Sequence, residues 1–175
     1  MHRLEVERGH RTLQVGERTF APPRWLDPRT ARALGIAHVP EDRYARAMVM
    51  GFEAWESAVL GHEGLPAYSQ GSWMRRAAMK LATAKMMEKF DVRPRDPQLV
   101  SGKFSGGNQQ KLVLARELGQ APKILLVGQP TRGVDSGAIE FIHGRLRAMR
   151  AAGCAVMVVS SELDAILALA DRVLV

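Results

Sequence analysis

Two short apolar runs on either side of a helix-like segment constrain the fold of this chain more than any other feature. The runs are "KILLV" at residues 123–127 and "AVMVV" at residues 155–159, and such stretches are typical of parallel strands buried on both faces. Between them, Asp135 or Ser136 is the expected N-cap of a helix that ends at Gly153. The apolar stripe of this helix consists of Ile139, Ile142, Leu146 and Met149. The pattern predicts a β-α-β unit.

Further strands and a helix extend this unit towards both ends of the chain. Residues 11–20, "RTLQVGERTF", alternate apolar and polar side chains around a Gly-Glu turn, which predicts a hairpin. Residues 36–39 form a strand-like run that ends in a charged loop, "PEDR". Towards the other end, a helix over residues 162–170 leads into "RVLV" at residues 172–175, which we expect to be another strand.

The middle of the chain has a different character, with few β-branched residues and many alanines and methionines from residue 52 to 90. Trp73, Ala77, Leu81 and Ala84 recur at helical spacing, so this part is predicted to be a helical subdomain. The methionines of residues 78–90 suit either an adaptable docking surface or the core, and core filling is the favoured interpretation.

Length and composition limit the number of domains and the cellular compartment that this chain suits. A chain of 175 residues with 46% hydrophobic residues suits one domain, or one domain with a small insertion. The single cysteine, Cys154, excludes an internal disulfide and indicates a reducing compartment. No apolar run approaches the roughly 20 residues that cross a bilayer, and residues 1–11 lack the apolar core of a signal peptide. We therefore expect a cytoplasmic protein.

The net charge of +7 raises nucleic acid as a partner. Lysine plus arginine against aspartate plus glutamate count 9 to 6 in residues 1–50, 7 to 6 in residues 51–100 and 9 to 6 in residues 101–175, so no basic block emerges. Aromatic residues, which stack on bases, make up only 6% of the chain. A basic nucleic-acid-binding domain stays the least favoured hypothesis, and no specific nucleic-acid partner is expected.

A glycine doublet stands directly before a helical stretch, in "FSGGNQQ" at residues 104–110. Ser105, Gly106 and Gly107 are expected at an exposed helix start, where free N–H groups and the helix dipole attract an anion. Taken alone, these three residues fit a plain turn and N-cap better. Their surroundings reverse that preference.

Together the motifs resemble the ATP-binding cassettes of ABC transporters. "FSGGNQQKLVLAREL" is similar to the signature motif and its helix, "KILLVGQPTRGVD" to the Walker B strand and D-loop, and "AVMVVSSELDAILALADRVLV" to the switch-loop region. "LGIAHVPEDR" falls where the family has its Q-loop strand. The details "SGGNQQK", "PTRGVD" and "SSELD" are similar to the C-terminal cassette of duplicated ATPase subunits of simple-sugar and nucleoside importers. The resemblance begins near Thr12 and follows the family's order.

The resemblance implies an α/β fold class, a partial P-loop NTPase core of the ABC type with a parallel sheet and an inserted α-helical subdomain. Residues 1–51 would be a remnant of the β-subdomain with the Q-loop strand. Residues 52–119 would form the helical subdomain that carries the signature, and residues 120–175 the RecA-like core. The first βα unit of the family would be missing.

Three departures from the family concern one site. No G-x-x-x-x-G-K-[ST] motif occurs in the 175 residues, so the usual seat of a triphosphate is not found. Gly128 and Gln129 stand where the family usually has Asp and Glu; glycine offers no ligand for Mg²⁺, and an amide is not a general base. Ser161 replaces the histidine common at the switch position. ATP hydrolysis by this cassette is therefore expected to be lost or very slow.

The motifs that keep the family's pattern would act in trans, on nucleotide held by another cassette. Ser105, Gly106 and Gly107, with Asn108 and Gln109, would close over ATP and Mg²⁺ held by a second cassette, and Asp135 would line the dimer seam. Glu41 would contact nucleotide or the transmembrane subunit, with a solvated acid as the alternative. Arg132 faces either a phosphate or a local ion pair. The histidines show no metal-ligand spacing with Cys154, so no metal site is assigned.

The implied partners are a second cassette and transmembrane permease subunits. The chain would accordingly be peripheral, on the cytoplasmic face of the cell membrane. The competing hypothesis is a non-catalytic interaction module that only docks a membrane permease.

Overall fold

The computed structural model describes residues 4–6, for which only the backbone is considered, and residues 12–174. The regular elements are, in chain order, β1 (Leu4–Val6), β2 (Leu13–Val15), β3 (Arg18–Phe20), α1 (Pro28–Ala33), β4 (Ile36–Val39), α2 (Arg43–Arg46), α3 (Ala54–Val59), β5 (Ser69–Gln70), β6 (Trp73–Met74), α4 (Arg76–Lys89), α5 (Gly106–Leu118), β7 (Ile124–Gly128), α6 (Ser136–Ala151), β8 (Ala155–Val159) and α7 (Leu163–Leu169).

An antiparallel sheet of order β1-β2-β3 lies at the start of the chain. The predicted hairpin is confirmed over residues 13–20, and Gly16 lies in its turn with φ of 60°. Arg11, the first residue of that prediction, lies outside the described residues. The strand predicted at residues 36–39 is β4, with the predicted bounds.

The β-α-β unit is present as predicted. Strands β4, β7 and β8 form a parallel sheet in that order, and α6 connects β7 to β8. Asp135 is the N-cap of α6, because its Oδ1 accepts a hydrogen bond from the Ala138 amide at 2.9 Å. Gly153, with φ of 87°, follows the end of the helix. The α/β fold with a parallel sheet is therefore confirmed.

The central strand β7 and the edge strand β8 differ in burial. β7 is largely buried, whereas Ala155, Met157 and Val159 on one face of β8 are exposed, so the prediction of burial on both faces is wrong for β8. The opposite face of the sheet packs on α5 and α6, where Leu125 of β7 and Ile142 of α6 belong to the same buried cluster. On the face that carries Met157, α1 and the antiparallel sheet cover Ile36 and Ile124, but Ala155, Met157 and Val159 of β8 stay exposed, which explains the alternation along β8.

Residues 172–174 form no strand, contrary to the prediction for "RVLV". A strand needs a neighbour to which its backbone can hydrogen-bond, and these residues pair with none in the described part of the chain. Val173 and Leu174 are consequently exposed. Val175 lies outside the described residues.

The helical stripe predicted from Trp73 is corrected in two respects. Trp73 lies in β6, before α4 begins at Arg76, and Leu81 is 60% exposed. The buried face of α4 carries Met79, Thr83 and Met87 instead. Spacing identifies a helix face, but only its neighbours, here α3 and α5, decide which face is covered. The burial of Met79 and Met87 confirms core filling by methionine.

A buried cation ties the helices together. Arg116 of α5 donates through Nη1 to the carbonyl oxygens of Ala47 at 2.7 Å and Ser57 at 2.9 Å, and through Nε to Glu117 at 2.8 Å. Charged groups are buried only when such partners replace water. None of the helices within residues 12–174 has the length and apolar character needed to cross a membrane.

Candidate functional site

Three segments meet where the parallel strands end. The residues after β4, the turn after β7 and the N-terminus of α5 come together here, because the carboxyl ends of parallel strands lie at one edge of the sheet. This is the edge at which the sequence places most of its candidate residues.

Ser105 is the N-cap of α5. Its Oγ accepts hydrogen bonds from the Asn108 side-chain amide at 2.8 Å and, more weakly, from the Asn108 backbone amide at 3.4 Å. The Asn108 side-chain oxygen, Oδ1, accepts in turn from the Arg93 backbone amide at 2.7 Å. No acceptor among the described residues takes the Ser105 hydroxyl proton, and Ser105 is exposed. This hydroxyl is therefore free to donate to an external acceptor.

Gly106 and Gly107 lie where side chains would collide with the turn after β7. A Cβ on Gly106 would stand 2.8 Å from the Gly133 carbonyl oxygen, and one on Gly107 would stand 3.1 Å from both the Ala138 Cβ and the Asp135 Oδ2. Gly107 is buried, so the expectation that it lies at an exposed helix start is wrong. Packing within the chain therefore favours glycine at both positions, whatever binds outside it.

Arg43 is the residue of this site that the sequence analysis missed. It begins α2, and its guanidinium reaches both other segments: Nε donates to Gln109 Oε1 at 3.3 Å and Nη1 donates to the Arg132 carbonyl oxygen at 3.1 Å. The Nη2 atom would lie 2.7 Å from a Cβ on Gly106. A positive charge thus stands beside the N-terminus of α5. Its position in the charged loop after β4 was the only signal in the sequence.

Gln109 is held from two sides. Besides accepting from Arg43, its side-chain amide donates to the Ser101 carbonyl oxygen at 3.2 Å, and the residue is buried. Gln109 therefore links α5 to the loop before it rather than facing solvent.

Glu41 and Arg132 form an ion pair of 2.8 Å between Oε1 and Nη1. Arg132 therefore makes a local ion pair, one of its two predicted alternatives. Both side chains are exposed, and a pair of this kind stabilises a fold by about 0 to 1 kcal/mol. The pair joins the loop after β4 to the turn after β7.

Gln129 and Ser161 face each other at the ends of β7 and β8. Gln129 Oε1 accepts from the Ser161 amide at 3.2 Å and from the Ser161 hydroxyl at 3.3 Å. Gln129 has a positive φ of 44°, and its backbone N–H donates to the Val159 carbonyl oxygen at 2.7 Å. Neither residue is ionisable, so this pair supplies no base.

Gly128 is closely covered by the loop after β4. A Cβ at this position would lie 2.9 Å from the Glu41 backbone nitrogen. The nearby acid Glu162 accepts from the Thr131 hydroxyl at 2.6 Å. The strand end therefore carries no carboxylate at residue 128 and has no room for one without a shift of the backbone of Glu41.

Asp135 serves the fold through both of its carboxylate oxygens. Oδ1 caps α6, and Oδ2 points to Gly107 of α5. The structure thus brings together Glu41, Gln109, Gly107 and Asp135 at one edge, with Gln129 and Ser161 beside them at the ends of β7 and β8. The position of Asp135 at a seam between two cassettes stays a prediction.

Three ionisable side chains outside this edge are wholly or partly withdrawn from water. Burial lowers the pKa of His62 and of His143, and it raises the pKa of the Cys154 thiol. The Nε2 atoms of both histidines have no hydrogen-bond partner within the described residues. Residues 12–174 contain no group of three or more histidine, cysteine, aspartate or glutamate side chains suited to a metal ion.

Comparison with curated proteins finds similar sequences among importer subunits. The chain is 40% identical over 148 residues to the nucleoside import ATP-binding protein NupA of Lactococcus lactis, covering 85% of this chain and 29% of that protein. It is 41% identical over the same length to the ribose import ATP-binding protein RbsA of Chromobacterium violaceum, with the same coverage. The glucose import ATP-binding protein TsgD13 of Haloferax volcanii is 35% identical over 98% of this chain and 32% of its own length. The chain therefore spans about a third of these relatives. No family model matches the sequence.

Solved structures support the same fold. The ATP-binding cassette MJ0796, in a dimeric post-hydrolysis state bound to ADP and Pi, superposes with a TM-score of 0.65 at 21% identity, covering 88% of this chain and 64% of that one. A nucleotide-free cassette from an ABC transporter gives a TM-score of 0.66 at 20% identity over 91% of this chain and 65% of that one. At this identity the likeness concerns the fold alone.

Proposed function

Since this chain belongs to the ATP-binding cassette family and has its α/β, P-loop NTPase-like fold, we propose that it works as the ATP-binding component of an importer for sugars or nucleosides. The names of NupA, RbsA and TsgD13 motivate this substrate class. In that role the chain lies against the cytoplasmic face of a membrane and docks permease subunits.

Within that role, the chain supplies a signature to ATP held by a second cassette and does not hydrolyse ATP itself. The observation that carries this proposal is the contrast between two places at the same sheet edge. The N-terminus of α5 offers the free Ser105 hydroxyl and the Arg43 guanidinium, both suited to a phosphate. The end of β7 offers only Gly128 and the amide of Gln129.

The same contrast tests the fit of ATP with Mg²⁺. Donor groups at the α5 N-terminus fit the anionic phosphates, whereas the end of β7 has no hard oxygen ligand of the carboxylate type that Mg²⁺ prefers. ATP supplies the phosphate charge that would draw two cassettes together. Ser105 would donate a hydrogen bond to that phosphate, and Arg43 would add positive charge beside it.

A non-catalytic module that only docks a permease is the second candidate. The observation in its favour is that packing inside the chain already favours glycine at residues 106 and 107, so that no nucleotide is needed to explain them. The two functions differ in whether pairing with another cassette depends on ATP.

The test measures association of the purified chain with a hydrolysis-competent importer cassette by sedimentation velocity, with and without ATP and Mg²⁺. We expect pairing that depends on ATP. Ser105→Arg should abolish it, because the long arginine side chain fills the space in front of the N-terminus of α5. Thr19→Arg, an equal charge change on exposed β3, should pair normally. Pairing that ignores ATP, or that survives Ser105→Arg, would favour the docking module.

A further inference from the structure

One exposed surface outside the sheet edge combines aromatic, apolar and basic side chains. We call it the hairpin patch: four consecutive exposed residues, Trp73 and Met74 of β6 with Arg75 and Arg76 at the start of α4. Trp73 is 82% exposed, and Met74 is 50% exposed. An exposed tryptophan next to a second large apolar residue is a feature that soluble surfaces usually avoid.

The charge of this surface has one sign. Residues 64–87 contain four lysines and arginines and no aspartate or glutamate. Of these four, Lys80 is engaged, since its ammonium donates to Gln98 at 2.9 Å and lies over the Trp55 ring. Arg75, Arg76 and Lys85 are exposed and make no ion pair with any described residue. Acids flank this basic stretch at Glu63 and Glu88, so the overall charge of residues 51–100 is close to neutral.

The exposed tryptophan is presented by a folded element. Trp73 pairs with Gln70 in the β5–β6 hairpin, and the Arg75 amide donates to the Tyr68 carbonyl oxygen at 2.8 Å, which fixes the hairpin at the start of α4. Beneath it lies a separate hydrophobic cluster formed by Trp55, Val59, Tyr68 and Met79. The core below is thus complete without Trp73, which stays outside it.

We propose that the hairpin patch binds the surface of an anionic phospholipid membrane. Tryptophan prefers the membrane–water interface, where basic side chains next to it contact the lipid headgroups. Each cation near an anionic bilayer strengthens binding about five-fold. The charge of the hairpin patch is complementary to anionic headgroups, and Trp73 and Met74 supply the apolar contact. This inference does not depend on the proposed function.

The test uses the full chain and vesicles of equal parts phosphatidylglycerol and phosphatidylcholine, compared with pure phosphatidylcholine. We expect co-sedimentation with the anionic vesicles only, together with a blue shift of tryptophan emission. Arg75→Glu/Arg76→Glu should weaken partitioning at least about 25-fold, from two cations at about five-fold each. Trp73→Ala should remove most of the blue shift.

Matched controls lie on other elements. Arg18→Glu/Arg29→Glu makes the same change in net charge at exposed residues of β3 and α1, and Trp25→Phe removes another exposed tryptophan. Both controls should bind like the unaltered chain, and circular dichroism verifies that every variant is folded. Absence of vesicle binding, equal loss in the control and test variants, or binding to a DNA duplex without binding to vesicles would each overturn the proposal.

Discussion

The side chain of Gln129 accepts hydrogen bonds from both the amide and the hydroxyl of Ser161, which joins the ends of β7 and β8 through neutral groups. In the resemblance to ATP-binding cassettes these are the positions of the acid and of the switch residue. Here each satisfies the other, so the pair stabilises the sheet edge without offering a base.

Gln129→Glu tests whether an acid at this position is enough for hydrolysis. A carboxylate can accept the same two hydrogen bonds from Ser161, so the variant should fold normally. We expect steady-state ATPase to stay at background, because Gly128 still offers no ligand for Mg²⁺. Clear ATPase activity of the purified variant would show that the acid alone had been missing.

Gly128→Ala tests the close approach of the Glu41 backbone. The new methyl group would lie 2.9 Å from the Glu41 nitrogen, so the loop has to move. Overpacking of this kind costs about 1 to 3 kcal/mol in the free energy of unfolding, measured by urea denaturation. Gly51→Ala, where a Cβ meets nothing within 4 Å, is the control and should leave stability nearly unchanged.

Arg43→Ala removes the link between the three segments of the sheet edge. Loss of its hydrogen bonds to Gln109 and to the Arg132 carbonyl oxygen should lower the free energy of unfolding by about 1 kcal/mol, since the site is partly exposed. It should also speed amide hydrogen exchange at the start of α5. Arg46→Ala, in the same helix and exposed, should change neither quantity. An equal effect of the two substitutions would mean that Arg43 acts only through its charge.

Arg116→Met removes a buried cation. Glu117 then loses its partner, and the Ala47 and Ser57 carbonyl oxygens lose their donor, so stability should fall by about 3 to 5 kcal/mol. In the double variant Arg116→Met/Glu117→Leu the unpaired acid is also gone, and part of the loss should return. If urea denaturation shows no recovery in the double variant, the carbonyl contacts dominate.

The uncovered side of β8 should cause self-association. Met157 and Val159 on β8 are exposed, as are Leu163 and Leu167 on α7, and exposed apolar side chains of this kind favour contact between copies. Sedimentation equilibrium should show mass rising with concentration, and Met157→Lys/Leu167→Lys should reduce that rise. A chain that stays monomeric at all concentrations would contradict this prediction.

The sequence by itself determined the local elements and their order. The β-α-β unit, strand β4, the hairpin and the cap of α5 follow from apolar runs, turn residues and N-cap residues, whose effects act within a few residues. The motifs also located Gln129, Ser161 and Ser105 at element ends, since an N-cap or a strand end is a property of the nearby chain.

Only the tertiary structure decided which faces are covered and which distant residues meet. Leu81 is exposed and Met79 is buried although both lie on α4, because α3 and α5 pack on one side of it. The contact between Arg43 and Gln109 spans 66 residues, and the burial of Gly107 depends on Ala138 of another helix. Such contacts arise when separate elements pack, and residue spacing carries no information about them.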